Sequence, residues 1–513
     1  MKRLLALSLA LLMIMTCLAG CGSKDGDKSD DNGQSEVSDT LRIAMPSDAK
    51  ALDPTLAIDN WSQNIYGQIY EPLLTLDEEK HIVPNLASYE QLDEKTYEFT
   101  LKQGVKFHNG EELKASDVIF TLNRGIESPM LAFIFGSIDP STIEATSEYS
   151  VKFSLKEPSA PFLAGLTAKE ASIMSEKAVT EGGDEYAMNP VGTGPYKFVK
   201  WSKGVSVELT AFEDYHGDKP AIKNLMFRPI PEATNRTIEL ETGNVDISIQ
   251  ITPSDVSRVE SNADLGILKG TGNTVNYLGF NTSAAPLDNV KVRQAVSHAI
   301  DVEGITNVIT QGYAKVAKQA FSPNMMFYDE SIDHISYDVE LAKKLLAEAG
   351  YPDGFTLHIT TDERKERVDI ATIVQSQLAE IGIDVKVDVL EWGAYLNEVY
   401  SGKDQMYVIG WSAATPDPDV VLYSVFHSSM MGEGGNMSFV NDPEIDELLE
   451  KGRTTFDYDE RVAIYSELQA YLKEYCPWVY LWVPENVVGF RANVTGLEMD
   501  PMEVYDYAKV SFK

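Results

Sequence analysis

Residues 369–392, DIATIVQSQLAEIGIDVKVDVLEW, change their hydrophobic period across one glycine. Ile370, Ile373, Val374, Leu378 and Ile381 share one face of a helix, which Gly382 ends. From Ile383 to Trp392 the apolar residues alternate, as in a half-buried strand. A helix that passes directly into a strand belongs to a layered α/β architecture. Other segments agree. TYEFTLK (96–102) places Tyr97, Phe99 and Leu101 on one face of a strand. SDVIFTLNRG (116–125) predicts a short helix with Ser116 as its N-cap. YDVELAKKLLAEAG (337–350) and NDPEIDELLEKG (441–452) predict helices closed by Gly350 and Gly452, with Pro443 near the start of the second. No period of solenoid length recurs. The expectation is α/β domains with mixed sheets.

A chain of 513 residues is too long for one core, so two or three domains are expected. It carries 79 acidic against 43 basic residues, a formal net charge of −36, which argues against a nucleic-acid partner. The N-terminus reads as a targeting segment. Lys2 and Arg3 precede the apolar run Leu4 to Met15, which is too short for a settled membrane span. Leu18-Ala19-Gly20-Cys21 then has the form of a bacterial lipobox, with Cys21 as the acylated first residue of the mature chain; a plain secretory signal is the alternative. Residues 21–40 hold almost no apolar side chains and are expected to form a solvated acidic tether. Its aspartates do not make a calcium loop, because Asp30 stands where the loop needs glycine. Cys476 is the only cysteine of the folded part, so no disulfide framework is expected, and a small buried side chain is its simplest role.

Catalytic signatures are missing. The chain has no P-loop, no Gly-x-Ser-x-Gly elbow and no His-Glu-x-x-His. The seven histidines are scattered singly, which predicts no metal site, and no cofactor motif is present. GTGPY (192–196) is a glycine-rich turn without phosphate-loop spacing. A binding protein is therefore favoured over an enzyme, with a secreted hydrolase kept as an alternative because catalytic triads do not depend on chain order.

Several blocks carry a resemblance. Residues 69–124, from IYEPLLTLDEEKHIVPNLASYEQ to SDVIFTLNR, are followed in order by NPVGTGPYKFVKW (189–201), ELETGNVDI (239–247), YLGFNTSAAPLDNVKVRQAVSHAID (277–301), AKKLLAEAGY (342–351) and WVYLWVPENVVGF (478–490). Together they resemble family 5 of the bacterial ABC-transporter solute receptors, the peptide- and nickel-binding family. The resemblance implies a large two-lobed periplasmic-binding-protein fold of type II, hinged, with ligand between the lobes. It implies lobe I at 41–59, 189–280 and 478–513, an inserted subdomain at 60–188, and lobe II at 281–477. It implies capture of short peptides for the permeases of an ABC importer, by a monomer held at the outer face of the cell membrane through lipid on Cys21. The same fold with glutathione, a nickel chelate, haem or an oligosaccharide as ligand is the alternative.

The resemblance also suggests ligand-binding residues. Trp61 precedes the first block, and Trp411, Ser412 and Trp392 lie in segments similar to cleft-lining ones. Dipeptide receptors place an aspartate shortly after a Gly-Trp pair to hold the ligand's ammonium. Here that position is Ala414, and Asp417 follows between Pro416 and Pro418. Either Asp417 takes the amine from a shifted loop, or the amine is held differently, or the ligand is not an ordinary free-amine peptide, as in glutathione-type receptors. Arg364, in TTDERKER (360–367), is expected to meet a ligand carboxylate.

Overall fold

The computed structural model describes residues 39–413 and 415–513. The signal segment, Cys21, nearly all of the tether and Ala414 lie outside the described residues.

One sheet organises the chain. In spatial order its strands are Asp384–Leu390, Thr356–Asp362, Met406–Ser412, Thr274–Phe280, Trp478–Arg491, Ile247–Ile249, Thr40–Met45, Asn224–Pro229, Ser206–Ala211 and Tyr196–Ser202, with Leu265–Thr271 and Ala314–Val316 also paired to the fifth. The fourteen-residue strand Trp478–Arg491 belongs to both halves. Its first part pairs antiparallel with Thr274–Phe280, from Gly279 opposite Trp478 to Asn276 opposite Trp482. Its second part, Glu485 to Arg491, pairs antiparallel with Leu265–Thr271. The handover falls at Pro484, which has no N–H to give a continuous ladder. On the neighbouring strand it falls at Gly272 and Asn273, where the Gly272 N–H reaches Pro484 O at 2.7 Å. The chain thus changes halves twice within one small region, at 272–273 and 484. The first lies eight residues before the boundary expected at 280–281, and the second six to seven residues after that expected at 477–478.

Separate cores explain the two halves. In the second half, alternation sends Tyr277 and Tyr407 to one face of the sheet and Leu278 and Val408 to the other, and each face builds its own cluster. The first half packs around Ile43, Tyr66, Tyr70 and Phe227. A further core, containing Phe99, Phe107, Val151 and Phe153, draws its buried members from residues 73 to 173 alone. It encloses the small antiparallel sheet of Ala87–Gln91, Thr96–Leu101, Ser150–Ser154 and Glu144–Ser147. By core membership the inserted part is therefore narrower than 60–188. Helix Asn60–Tyr66 and the side chains of Met174 and Tyr186 pack with the first half.

Local expectations are met with small shifts. The helix–strand unit forms as Lys365–Ala379 and Asp384–Leu390, with Gly382 at φ +85° between them. Trp392 does not end that strand; it begins the next helix, Trp392–Tyr400. The helix expected at 116 starts at Ala115, and its cap is Lys114, whose N–H donates to Asp117 Oδ2 at 3.0 Å. Gly452 lies inside helix Pro443–Thr454 and does not terminate it. A Cβ there would stand 2.9 Å from the Tyr465 ring, so close packing and not a chain reversal requires the glycine. Cys476 is buried 2.9 Å from Ser297 Oγ, and burial pushes its thiol up to about 11.

Candidate functional site

A cavity of about 230 Å³ opens between the halves and the inserted part, beside the double crossing. Stretches far apart in the chain wall it. Helix Asn60–Tyr66 presents Gln63, and the inserted part brings Thr167 to Glu170. The second half brings Asn273, Asn324, Met325, Ala413, Thr415 and Pro416, and the C-terminal loop brings Asp500 to Met502.

Each wall is held by local chemistry. Asp59 caps the first helix by accepting the Ser62 N–H at 3.1 Å, which fixes where Gln63 points. Gln63 Nε2 then donates to Glu170 Oε1 at 2.9 Å and to Ile58 O at 2.9 Å. Glu170 is 5% exposed, and burial pushes its carboxyl up to about 7. Asp500 Oδ1 accepts the N–H groups of Met502 and Val504 at 2.8 and 3.0 Å, which shapes the loop; burial also raises this carboxyl. Asn324 Nδ2 donates to Thr271 O and Gly272 O at 2.6 and 3.0 Å, so one wall is tied to the crossing strand. Asn273 Nδ2 donates to Ala413 O at 3.3 Å, while its buried Oδ1 has no hydrogen-bond partner among the described residues. Leu76, Met325 and Met502 add apolar surface. Such a lining suits a small molecule of mixed polarity.

Contacts outside the cavity lining join the inserted part to the second half. The Ala160 N–H of the inserted part donates to Arg453 O of the second half at 2.8 Å. Lys80 Nζ reaches Pro323 O at 3.3 Å, and the His81 ring lies 5.9 Å from that of Tyr458. Asp77, Glu79 and His81 come within 4.8 Å of one another on the same exposed hairpin, and their chemistry alone does not define a metal site.

The residues expected from sequence do not line this cavity. Trp61 packs on the first half's core, two residues before Gln63. Trp411 packs against the second half's core with its ring beside Gly435, two residues before Ala413. Ser412 turns to the opposite side, where its Oγ lies 2.6 Å from Thr274 Oγ1. Asp417 is not free to meet an amine. Its side chain is 1% exposed, and both oxygens are taken by Arg461, at 2.6 and 3.0 Å. Arg364 is 59% exposed, its Nε lies 3.0 Å from Asp362 Oδ2, and its guanidinium stacks 4.7 Å from the Trp392 ring centroid. These partners give Trp392 a place in an arginine stack with Arg364 and Arg367. The lining residues Gln63, Glu170, Asn273 and Asp500 carry no motif; only Glu170, set beside the apolar run at Ala171, Ile173 and Met174, hints at a buried acid.

Two halves joined by paired crossings, with a lined cavity at the join, define a solute-binding protein of the two-lobed type. The sequence model of bacterial extracellular solute-binding proteins, family 5 (middle), matches residues 81–433, and the chain belongs to this family. It is 29% identical to the dipeptide-binding protein of Escherichia coli (strain K12), over 84% of this chain and 86% of that one. It is similar to DppA from Helicobacter pylori in complex with the peptide STSA, with 31% identity, a TM-score of 0.74, and coverage of 92% of this chain and 98% of that one. HbpA2 from Haemophilus parasuis has 28% identity and a TM-score of 0.86, covering 92% of this chain and all of the other.

Proposed function

We propose that this protein captures short peptides outside the cytoplasm and delivers them to the permeases of an ABC importer, as a binding protein and not an enzyme. The observation that carries the reading is the cavity walled by both halves beside the double crossing. Relatives named for dipeptide binding and solved with a bound peptide support the ligand class. The lobes of this reading are 39–72, 174–271 and 485–513 for the first, with 73–173 inserted, and 274–483 for the second. A ligand that touches both walls is contacted fully only when they are together, so it draws the lobes shut about 272–273 and 484. The Ala160–Arg453 and Lys80–Pro323 bonds then act as latches of the closed form. The identity of the molecule that the purified protein retains tests capture: a peptide is expected, and retention of any other class of ligand would remove the reading.

The same reading places the protein at the membrane through lipid on Cys21. A free receptor would diffuse away from a cell without an outer membrane, and stable anchoring takes more than one acyl chain. The signal, box and polar tether support it. In cells fed labelled palmitate, wild type is expected to carry label in the membrane fraction. Cys21→Ser is expected to lose the label and remain unprocessed or be shed. Equal label and membrane retention in the variant would exclude lipidation at Cys21.

A further inference from the structure

Segment 322–326 of the second half lies between the cavity and the first crossing. Asn324 and Met325 line the cavity. Asn324 Nδ2 donates to Thr271 O at 2.6 Å and to Gly272 O at 3.0 Å, and Ser322 Oγ donates to Gly272 O at 2.8 Å. Only the nitrogen end of the Asn324 amide can satisfy two carbonyls. Its Oδ1 is thus the unpaired end, and it accepts from no described residue. The Thr271 carbonyl and the Gly272 N–H belong to one peptide group, and that N–H donates to Pro484 O at 2.7 Å. One chain of hydrogen bonds therefore runs from the Asn324 amide, through the first crossing at 272–273, to the second at 484. The far end of the segment is anchored in the second half. The Met326 N–H donates to Pro416 O at 3.0 Å, and the Phe327 ring stacks 5.3 Å from that of Tyr465. Phe327 is held there at φ +60°, which a bulky residue rarely adopts.

On the peptide-receptor reading above, in which ligand draws the halves together, we propose that Asn324 is a positioning residue that couples occupancy of the cavity to that closure. A ligand N–H or O–H that donates to Asn324 Oδ1 polarises the amide and makes its hydrogens better donors. The bonds to Thr271 O and Gly272 O strengthen. Through the shared peptide group, so does the bond from the Gly272 N–H to Pro484 O. These are the residues at which the chain changes halves, so the ligand's effect falls on the hinge itself. Of the two side chains that hold Gly272 O, only Asn324 lines the cavity. The inserted part reaches the same segment, because Lys80 Nζ bonds the Pro323 carbonyl between Ser322 and Asn324. By linkage, a crossing held in the geometry that favours these bonds also binds the ligand more tightly.

Hydrogen exchange and small-angle scattering, each with and without saturating peptide, test the coupling. Dialanine, trialanine and tetra-alanine serve as probes, and calorimetry identifies those that bind. In wild type a bound probe is expected to reduce the radius of gyration and to slow amide exchange at Gly272 by about tenfold or more. Asn324→Ala is expected to bind the same probe more weakly. At saturation it should show a smaller reduction in radius and a slowing at Gly272 of less than about threefold. Slowing along helix Asn60–Tyr66, on another wall, should persist, which separates lost coupling from lost binding. Asn324→Asp keeps the size and the acceptor end, but its carboxylate cannot donate to the two carbonyls. It is expected to behave likewise, and it decides the matter should Asn324→Ala fail to fold. A folded variant that closes as far as wild type, with the same slowing at Gly272, would overturn the coupling and leave the peptide-receptor reading intact. Wild type that binds none of the three probes, or binds one without a change in radius, would overturn both.

Discussion

Replacing Asp417 by alanine is expected to cost about 3–5 kcal/mol of folding stability, because it leaves Arg461 buried without its counter-charge. The guanidinium cannot turn to solvent easily. It is packed over the Phe327 ring at 4.6 Å and donates through Nε to Gly452 O at 2.9 Å. The pair ties the 415–420 segment, one wall of the cavity, to helix Tyr458–Tyr475. Changing both partners to apolar residues, Asp417→Leu with Arg461→Met, is expected to recover most of the loss, since no charge is then stranded. Urea titration of wild type, both single variants and the double variant measures this as a double-mutant cycle. Per folded molecule, Asp417→Ala should bind peptides as wild type does. A variant that melts like wild type but loses affinity for free-amine peptides alone would return Asp417 to the role of amine anchor.

Asp404 provides the second large effect. Its side chain is 3% exposed, and neither oxygen has a hydrogen-bond partner among the described residues. Burial first, and then the charge of Glu398, push its carboxyl up from 3.8 to about 7. The folded-state value lies above the unfolded one, so folding favours the protonated acid. Its stabilising contribution is full below about pH 4 and is lost as pH rises through about 7. The change amounts to roughly 4 kcal/mol for a shift of about three units. Asp404→Asn removes the ionisation. It is expected to match wild type near pH 4 and to exceed it by up to that amount at pH 8. Glu170 has a similar rise and adds to the slope of wild type, so the difference between variant and wild type isolates Asp404. Denaturant unfolding at both pH values reads it. A pH-independent difference would show that Asp404 is ionised and solvated in the folded protein.

Much of the architecture was legible because it rests on local period. The alternation of 96–101 and the apolar stripe of 370–381 each name a buried face without reference to the rest of the chain. The ordered blocks supplied the two-lobed plan, which period alone could not. Contacts distant in sequence were not legible. Asp417 looked free because Arg461 lies 44 residues further on. Glu170 carried no motif, because its partner, Gln63, lies 107 residues earlier. Gly452 read as a helix end, and only the Tyr465 ring from the next helix explains it. The cavity draws its walls from stretches near 63, 170, 324 and 501, and no spacing rule connects them. The crossing positions depend on which partner each residue of Trp478–Arg491 chooses, and both parts of that strand are apolar enough to suit either half.

Native mass spectrometry of the protein purified from its own cells tests the central claim most directly. Gentle ionisation keeps a closed protein and its ligand together, and denaturation releases the ligand for sequencing by fragmentation. The predicted result is a set of added masses that denaturation removes and fragmentation resolves into short peptides. A retained ligand of another chemical class would contradict the account.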